Sequence, residues 1–251
     1  MSAAEMLAVF AAGIAAGTIN TVVGSGTLVT FPVLLAVGYP PVTANVSNAV
    51  GLVPGSVAGA IGYRRELVGQ RRRALRFGAA SLLGAITGAV LLLVLPASAF
   101  RAIVPAFIVL ALVLILAQPW LQERLAAHRA EHHAHGAGLP RVGVYGAGVY
   151  GGYFGAAQGI LLIAILGLAV PEDLQRVNAL KNVLAGLVNL VAGVVFVLVA
   201  HVAWAAAGLI AVGSALGGVL GARYGRRLPD RVLRGVIVVV GVAAIVQLLV
   251  G

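Results

Sequence analysis

Residues 20–37 read Asn-Thr-Val-Val-Gly-Ser-Gly-Thr-Leu-Val-Thr-Phe-Pro-Val-Leu-Leu-Ala-Val. An apolar run that begins near Ala3 is cut at Gly24-Ser25-Gly26 and resumes for only about ten residues, Leu28 to Val37. At ~1.5 Å of rise per residue, ten helical residues cover about half of a ~30 Å hydrocarbon core. The stretch therefore reads as a broken or re-entrant unit, one long arm and one half-helix, rather than as one span. The long arm, Ala3 to Val23, is expected to be the first membrane segment and not a cleaved leader, because Met1 to Met6 lacks Lys and Arg.

The rest of the chain agrees with a bilayer. Of 251 residues, 61% are apolar and 10% charged, with a mean hydropathy of +1.06. Soluble domains carry about 25% charged residues, so soluble enzymes, disordered chains and disulfide scaffolds are excluded. Cys is absent, which removes thiolate chemistry and thiolate metal sites. The formal charge of +10 sits in short clusters between apolar runs, so it reports topology rather than a nucleic-acid partner.

Working outward, eight runs have the length of membrane helices: Ala3 to Val23, Ala44 to Tyr63, Leu75 to Leu95, Ala102 to Ala117, Val142 to Ala157, Leu180 to Ala200, Ala203 to Ala222 and Val232 to Val250. A second half-helix, Ile160 to Val170, follows a second break at Ala157-Gln158-Gly159. The expected fold is all-α and polytopic, with residues 1–121 and 141–251 as two membrane repeats and 122–140 as a cytoplasmic linker.

The repeat rests on one ungapped shift of 133 positions. It places Gly26 on Gly159, Asn45 on Asn178, Gly84 on Gly217, Gly88 on Gly221, Pro96 on Pro229 and Arg101 on Arg234. In the first copy Arg64, Arg65, Arg71, Arg72, Arg73 and Arg76 follow the second long segment. In the second copy the matching loop at His201 is neutral, and Arg223, Arg226, Arg227 and Arg231 come one loop later. Clustered Arg marks the cytoplasmic side, so equivalent loops face opposite sides and the repeats are inverted. Inverted repeats with interrupted helices at matching positions point to a secondary transporter whose site lies near the midplane.

The polar residues near that midplane are the candidate site. Sixteen of the 17 basic residues are Arg, in loops or near helix ends; the single Lys, Lys181, falls inside a helix. Taking that helix to start at Pro171, with Glu172 and Asp173 in its first turn, puts Lys181 roughly 15 Å in. No carboxylate lies mid-segment to pair with it. Two readings stay open: Lys181 faces an anion, or it snorkels toward Arg176. Asn178 and Lys181, like Asn45 and Asn48, are three apart and share a helix face. With Asn182 they supply donors for an oxyanion, or else amide bonds between helices. The breaks add Ser25, Gly26 and Gln158, where freed N–H groups at a half-helix start attract anions; Asn20 and Tyr153 flank them, themselves 133 apart. Glycines at Gly13, Gly17, Gly84 and Gly88 read as close helix packing. His128, His132, His133 and His135 read as a solvated linker run rather than a metal site, and Trp120 and Trp204 as interfacial anchors. No cofactor is expected, and the oligomeric state has no signature.

The pattern Gly13-xxx-Gly17-xx-Asn20-xxx-Gly24-Ser25-Gly26, then Phe31-Pro32, Ala44-Asn45-Val46-Ser47-Asn48 and Pro54-Gly55, resembles the sulfite exporter TauE/SafE family. Tyr150-Gly151-Gly152-Tyr153-Phe154-Gly155 and Asn178-Ala179-Leu180-Lys181-Asn182 resemble its second half. The resemblance covers essentially the whole chain. It implies a multi-pass permease of the plasma (inner) membrane, not an enzyme, that exports small anions such as sulfite or sulfoacetate. An importer or channel of the same fold, or a non-transporting scaffold, is the alternative. Ser25 and Thr27 stand where the family's first break is usually richer in Gly, which bears on which anion is carried.

Overall fold

The computed structural model describes residues 1–131 and 138–225, together with Gly235, Val238, Val239 and Val242. Among the described residues the regular secondary structure is all helical, with nine helices: α1 (Ala3–Val22), α2 (Thr27–Ala36), α3 (Pro41–Gly62), α4 (Arg71–Val94), α5 (Ala97–Glu131), α6 (Gly138–Tyr153), α7 (Gln158–Ala169), α8 (Leu174–Val199) and α9 (Trp204–Tyr224). Five are long and apolar enough to cross a membrane: α1, α4, α5 as far as Leu121, α8 and α9. At 22 residues α3 has the length, but its Asn, Ser, Pro and Gly dilute its hydropathy. The expected span at Val232 to Val250 lies almost wholly outside the described residues, as do His132, His133 and His135. Helix α5 continues through the first ten residues of the expected linker, as far as Glu131, and so includes His128. Trp120 and Trp204 are both exposed, as interfacial anchors require.

Local chemistry sets several boundaries. Ser2 and Glu5 form a reciprocal capping box on α1, and Pro41 opens α3 at a position that needs no N–H. Helix α8 starts at Leu174, not Pro171: the Asp173 side chain caps it by accepting from the Arg176 N–H at 2.9 Å. Glu172 thus lies outside the helix, and Lys181 is roughly 10 Å along it rather than 15 Å.

Both breaks are present and have the same construction. The Ile19 carbonyl accepts from the N–H groups of Val23 and Gly24, and the Tyr150 carbonyl accepts from those of Phe154 and Gly155. Gly24 and Gly155 both have positive φ, +91° and +79°, the left-handed turn that ends helices at glycine. The Val29 N–H then bonds the Gly26 carbonyl, and the Ile160 N–H bonds that of Ala157. All of these pairs are 131 positions apart. The single interval of 133 therefore does not extend through the breaks: Gly26 corresponds to Ala157, not to Gly159. The cause is that α7 has 12 residues against 10 in α2, after which α3 and α8 begin 133 apart.

Glycine faces bring helices together in two matching pairs. A methyl group at Gly84 would meet the Tyr145 carbonyl oxygen and the Val149 nitrogen, and one at Gly88 the Val149 carbonyl oxygen, so α4 lies backbone to backbone on α6. Gly217 faces the Ile14 carbonyl oxygen and the Thr18 nitrogen, and Gly221 the Thr18 carbonyl oxygen, so α9 lies in the same way on α1. Small residues allow this approach, which dispersion and packing reward in a bilayer. Helices α3 and α8 cross between these pairs. Beside Pro54, the Ser214 hydroxyl of α9 donates to the Gly51 carbonyl at 2.8 Å and accepts from the Gly55 N–H at 3.2 Å.

The loops sort onto two ends. Arg73 pairs with Glu172, Gln70 Nε2 donates to the Arg176 carbonyl and Arg176 Nη2 to the Val68 carbonyl, both at 2.9 Å. The α3–α4 and α7–α8 loops therefore share one end. At the other end the Ala203 N–H donates to Ser47 Oγ at 2.9 Å, joining the start of α3 to the α8–α9 loop.

Candidate functional site

The two breaks meet. The Gly159 N–H donates to the Gly24 carbonyl at 3.0 Å, and neither glycine has room for a side chain. Around this contact lie the candidate residues: Ser25, Gly26, Asn45, Asn48, Tyr153, Gln158, Asn178, Lys181 and Asn182 are all buried, and Asn20 is half-buried.

A broken helix leaves its last carbonyls without intrahelical partners. At the end of α1 those of Asn20 and Thr21 are met from α8. Lys181 is 0% exposed, and its Nζ donates to the Asn20 carbonyl at 2.9 Å and to the Thr21 carbonyl at 3.2 Å. Asn178 Nδ2 and Asn182 Nδ2 donate to the same Thr21 carbonyl at 3.3 and 3.2 Å. Lys181 therefore does not snorkel to the surface; its ammonium ends on backbone oxygen inside the fold. At the end of α6, Asn45 Nδ2 donates to the Tyr153 carbonyl at 2.9 Å. So Asn45 and Asn178, 133 apart, each serve the broken end of a helix in the other half of the chain.

Asn48, the counterpart of Lys181, does something else. Its Nδ2 donates to Thr27 Oγ1 at 3.2 Å, and its Oδ1 accepts from Thr30 Oγ1. It is tied to the first turn of α2 rather than to the end of α6.

The starts of the half-helices are less satisfied than the ends of the long arms. Neither α2 nor α7 has a side-chain N-cap. Ala157, before α7, sits at φ +58°, a left-handed conformation that costs a non-glycine residue ~1–2 kcal/mol. Ser25 Oγ, Gln158 Nε2 and Tyr153 OH are buried donors without a hydrogen-bond partner, and Asn178 Oδ1 is a buried acceptor without one. Buried polar groups are overwhelmingly paired. Three of these unpartnered groups, on Ser25, Gln158 and Tyr153, lie within a few residues of the two uncapped helix starts.

Two residues of this region have no counterpart among the candidates read from sequence. Asn189 Nδ2 and Asn20 Nδ2 both donate to Ser56 Oγ, at 3.1 and 3.4 Å. The signal for Asn189 was its spacing: Asn178, Asn182 and Asn189 are four and seven apart and share one face of α8. Phe31, Phe100, Phe107 and Phe154 pack edge-to-face and stacked beside Tyr153 and close one side of the crossing. Among the described residues no group of His, Asp and Glu is placed to hold a metal ion.

The chain is similar to known membrane proteins over almost its full length. It is 28% identical over 237 residues to the "Probable membrane transporter protein YfcA" of Escherichia coli strain K12, covering 93% of this chain and 86% of that protein. It is 26% identical over 245 residues to the "Probable membrane transporter protein ORF9" of a Sinorhizobium species, covering 96% and 90%. A third relative, the "Probable membrane transporter protein" of Haemophilus influenzae, is 26% identical over 238 residues. No solved structure matches. The family model described as "Sulfite exporter TauE/SafE" matches residues 9–248, and the chain belongs to that family of multi-pass membrane transporters.

Proposed function

We propose that this transporter is a secondary permease of the plasma membrane that exports a small sulfur-containing oxyanion or organosulfonate, sulfite and sulfoacetate being the leading examples. The observation that carries the reading is that Ser25 Oγ, Gln158 Nε2 and Tyr153 OH, on residues at or near two uncapped half-helix starts whose glycines meet, are buried without a partner. An oxyanion offers acceptors on every side, and helix starts favour negative charge. No carboxylate joins this set, so it is ill suited to a cation. In this reading Gly26, Asn20, Asn45, Asn48, Asn178, Asn182 and Lys181 shape the site and supply its polarity.

The shared construction of the two breaks and the matching α4–α6 and α9–α1 contacts support two repeats of one design. The joined α3–α4 and α7–α8 loops support inversion, because clustered Arg assigns the first to the cytoplasm and an inverted second copy requires the other on the same side. With residues 1–121 and 141–251 as the repeats, alternating access follows from exchanging their conformations about the central crossing.

The test is purified protein in liposomes with a panel of sulfite, sulfate, thiosulfate, sulfoacetate and an unrelated carboxylate. Flux of one or more sulfur oxyanions, reduced at least tenfold by Ser25→Ala combined with Gln158→Leu, is expected. Absence of flux for the whole panel would falsify the reading. Inward flux against a gradient would replace export with import.

A further inference from the structure

We infer that Lys181 acts as a positioning residue: with Asn178 and Asn182 it clamps the broken carbonyl end of α1, and it serves a bound anion through α1 rather than by contact. This rests on the anion reading above for its purpose, but not for its geometry.

A break in a helix creates two ends of opposite sign. The start of the second half presents N–H groups and attracts an anion, while the end of the first half presents carbonyls and repels it. In α1 and α2 these ends are Thr21 and Thr27, six residues apart, so an anion drawn to α2 also meets the negative end of α1. The structure deals with that end directly. The Asn20 and Thr21 carbonyls receive one ammonium and two amides from a single face of α8, with four donor contacts between 2.9 and 3.3 Å. The Lys181 side chain lies along the other break as well: a methyl group on Gly159 would come within 2.9 Å of Lys181 Cδ. One buried side chain thus touches both breaks and ends on the carbonyls of α1.

A Lys waiting to meet an anion would aim its ammonium at the uncapped starts of α2 and α7. This one aims at the opposite pole of the break. The cation cancels the repulsive end, and the Asn pair fixes where that end sits, leaving Ser25 and Gln158 to make contact with the ligand.

The experiment uses the natural absence of Cys. Asn20→Cys keeps the backbone carbonyl that Lys181 holds and reports, by its rate of reaction with a small thiol reagent, how firmly the end of α1 is held. It is combined in turn with native Lys181, Lys181→Met and Lys181→Gln, and transport of the flux-positive panel anion is measured for the same Lys181 variants without the Cys. Lys181→Met should raise labelling at least fivefold, and Lys181→Gln, which keeps an amide donor, should bring it back to within twofold of native. Transport should lose maximal rate in Lys181→Met and recover in part in Lys181→Gln, with KM within threefold throughout. KM raised tenfold or more in both variants means that the ammonium contacts the anion, and overturns the proposal. Unchanged labelling in Lys181→Met overturns it whatever the transport result. If Lys181→Met does not fold, Asn182→Leu removes one donor to Thr21 and should raise labelling at least twofold; no rise overturns the proposal. A labelling rise with no flux of any anion would retain the clamp and remove the anion reading.

Discussion

Asn189 Nδ2 donates to Ser56 Oγ across 3.1 Å, and the two residues are 133 positions apart, the interval that relates Asn45 to Asn178 and α3 to α8. This bond lies where α3 and α8 face each other. Ser56 also accepts from Asn20 and donates to the Leu52 carbonyl at 3.0 Å, so this point joins α1, α3 and α8. Ser56→Ala is expected to destabilise the protein by about 1 kcal/mol, and a cycle with Asn189→Ala to give a coupling of about 0.6 kcal/mol. Reversible unfolding in mixed micelles measures both; zero coupling would separate the two side chains.

The close helix pairs predict a sharp contrast among glycines. Gly88→Ala and Gly217→Ala each drive a methyl group into a backbone carbonyl of the facing helix, and should cost about 1–3 kcal/mol. Gly208 has open space around its missing side chain, and Gly208→Ala should be neutral or stabilising by up to about 1 kcal/mol. Thermal midpoints of the three variants decide the matter, and equal effects would contradict the packing described.

The end that joins the α3–α4 and α7–α8 loops should be acid-sensitive. Glu172 is held below its ordinary pKa of 4.5, chiefly by the Arg73 hydrogen bond and also by the charge of Arg176. A carboxyl depressed in the folded state contributes stability above its unfolded value, and this is lost as pH falls through the folded one. Stability should therefore hold down to about pH 4.5 and decline below it. Glu172→Gln should flatten that decline and lower stability modestly at pH 7, since the pair is partly exposed. Melting curves between pH 3 and 7 supply the check.

Topology is open to single-Cys labelling. Cys in place of Ala97 or His201 should react from outside intact cells, and Cys in place of Gly69 or Arg227 only after permeabilisation. Reaction of the Gly69 and His201 positions from the same side would break the inversion.

Much of this architecture was legible because its determinants are side chains with few alternative uses. Arg clusters mark an end of the bundle, glycines mark close approach, and Asn within apolar helices marks a buried partner. The half-helices were legible from length alone. What escaped was carried by the backbone or by register. Lys181 finds the carbonyls of Asn20 and Thr21, and a carbonyl partner has no residue type to read. The run Ile160-Leu-Leu-Ile-Ala-Ile-Leu-Gly-Leu-Ala is apolar on every face, so nothing in it announced the two extra residues of α7 that shift the breaks from 133 to 131. The start of α8 differs from the expected Pro171 because, although Pro is a good first residue for a helix, Asp173 supplies the cap actually used.

Asn48 and Lys181 occupy equivalent places yet hold opposite poles of a break, Asn48 the start of α2 and Lys181 the end of α1. Two identical halves that trade places would leave a carrier indifferent between its inward and outward poses. Here the trade would ask a neutral amide to take over the work of an ammonium. Under the exchange of halves proposed above, the two poses would therefore be inequivalent in energy before any cargo or gradient acts.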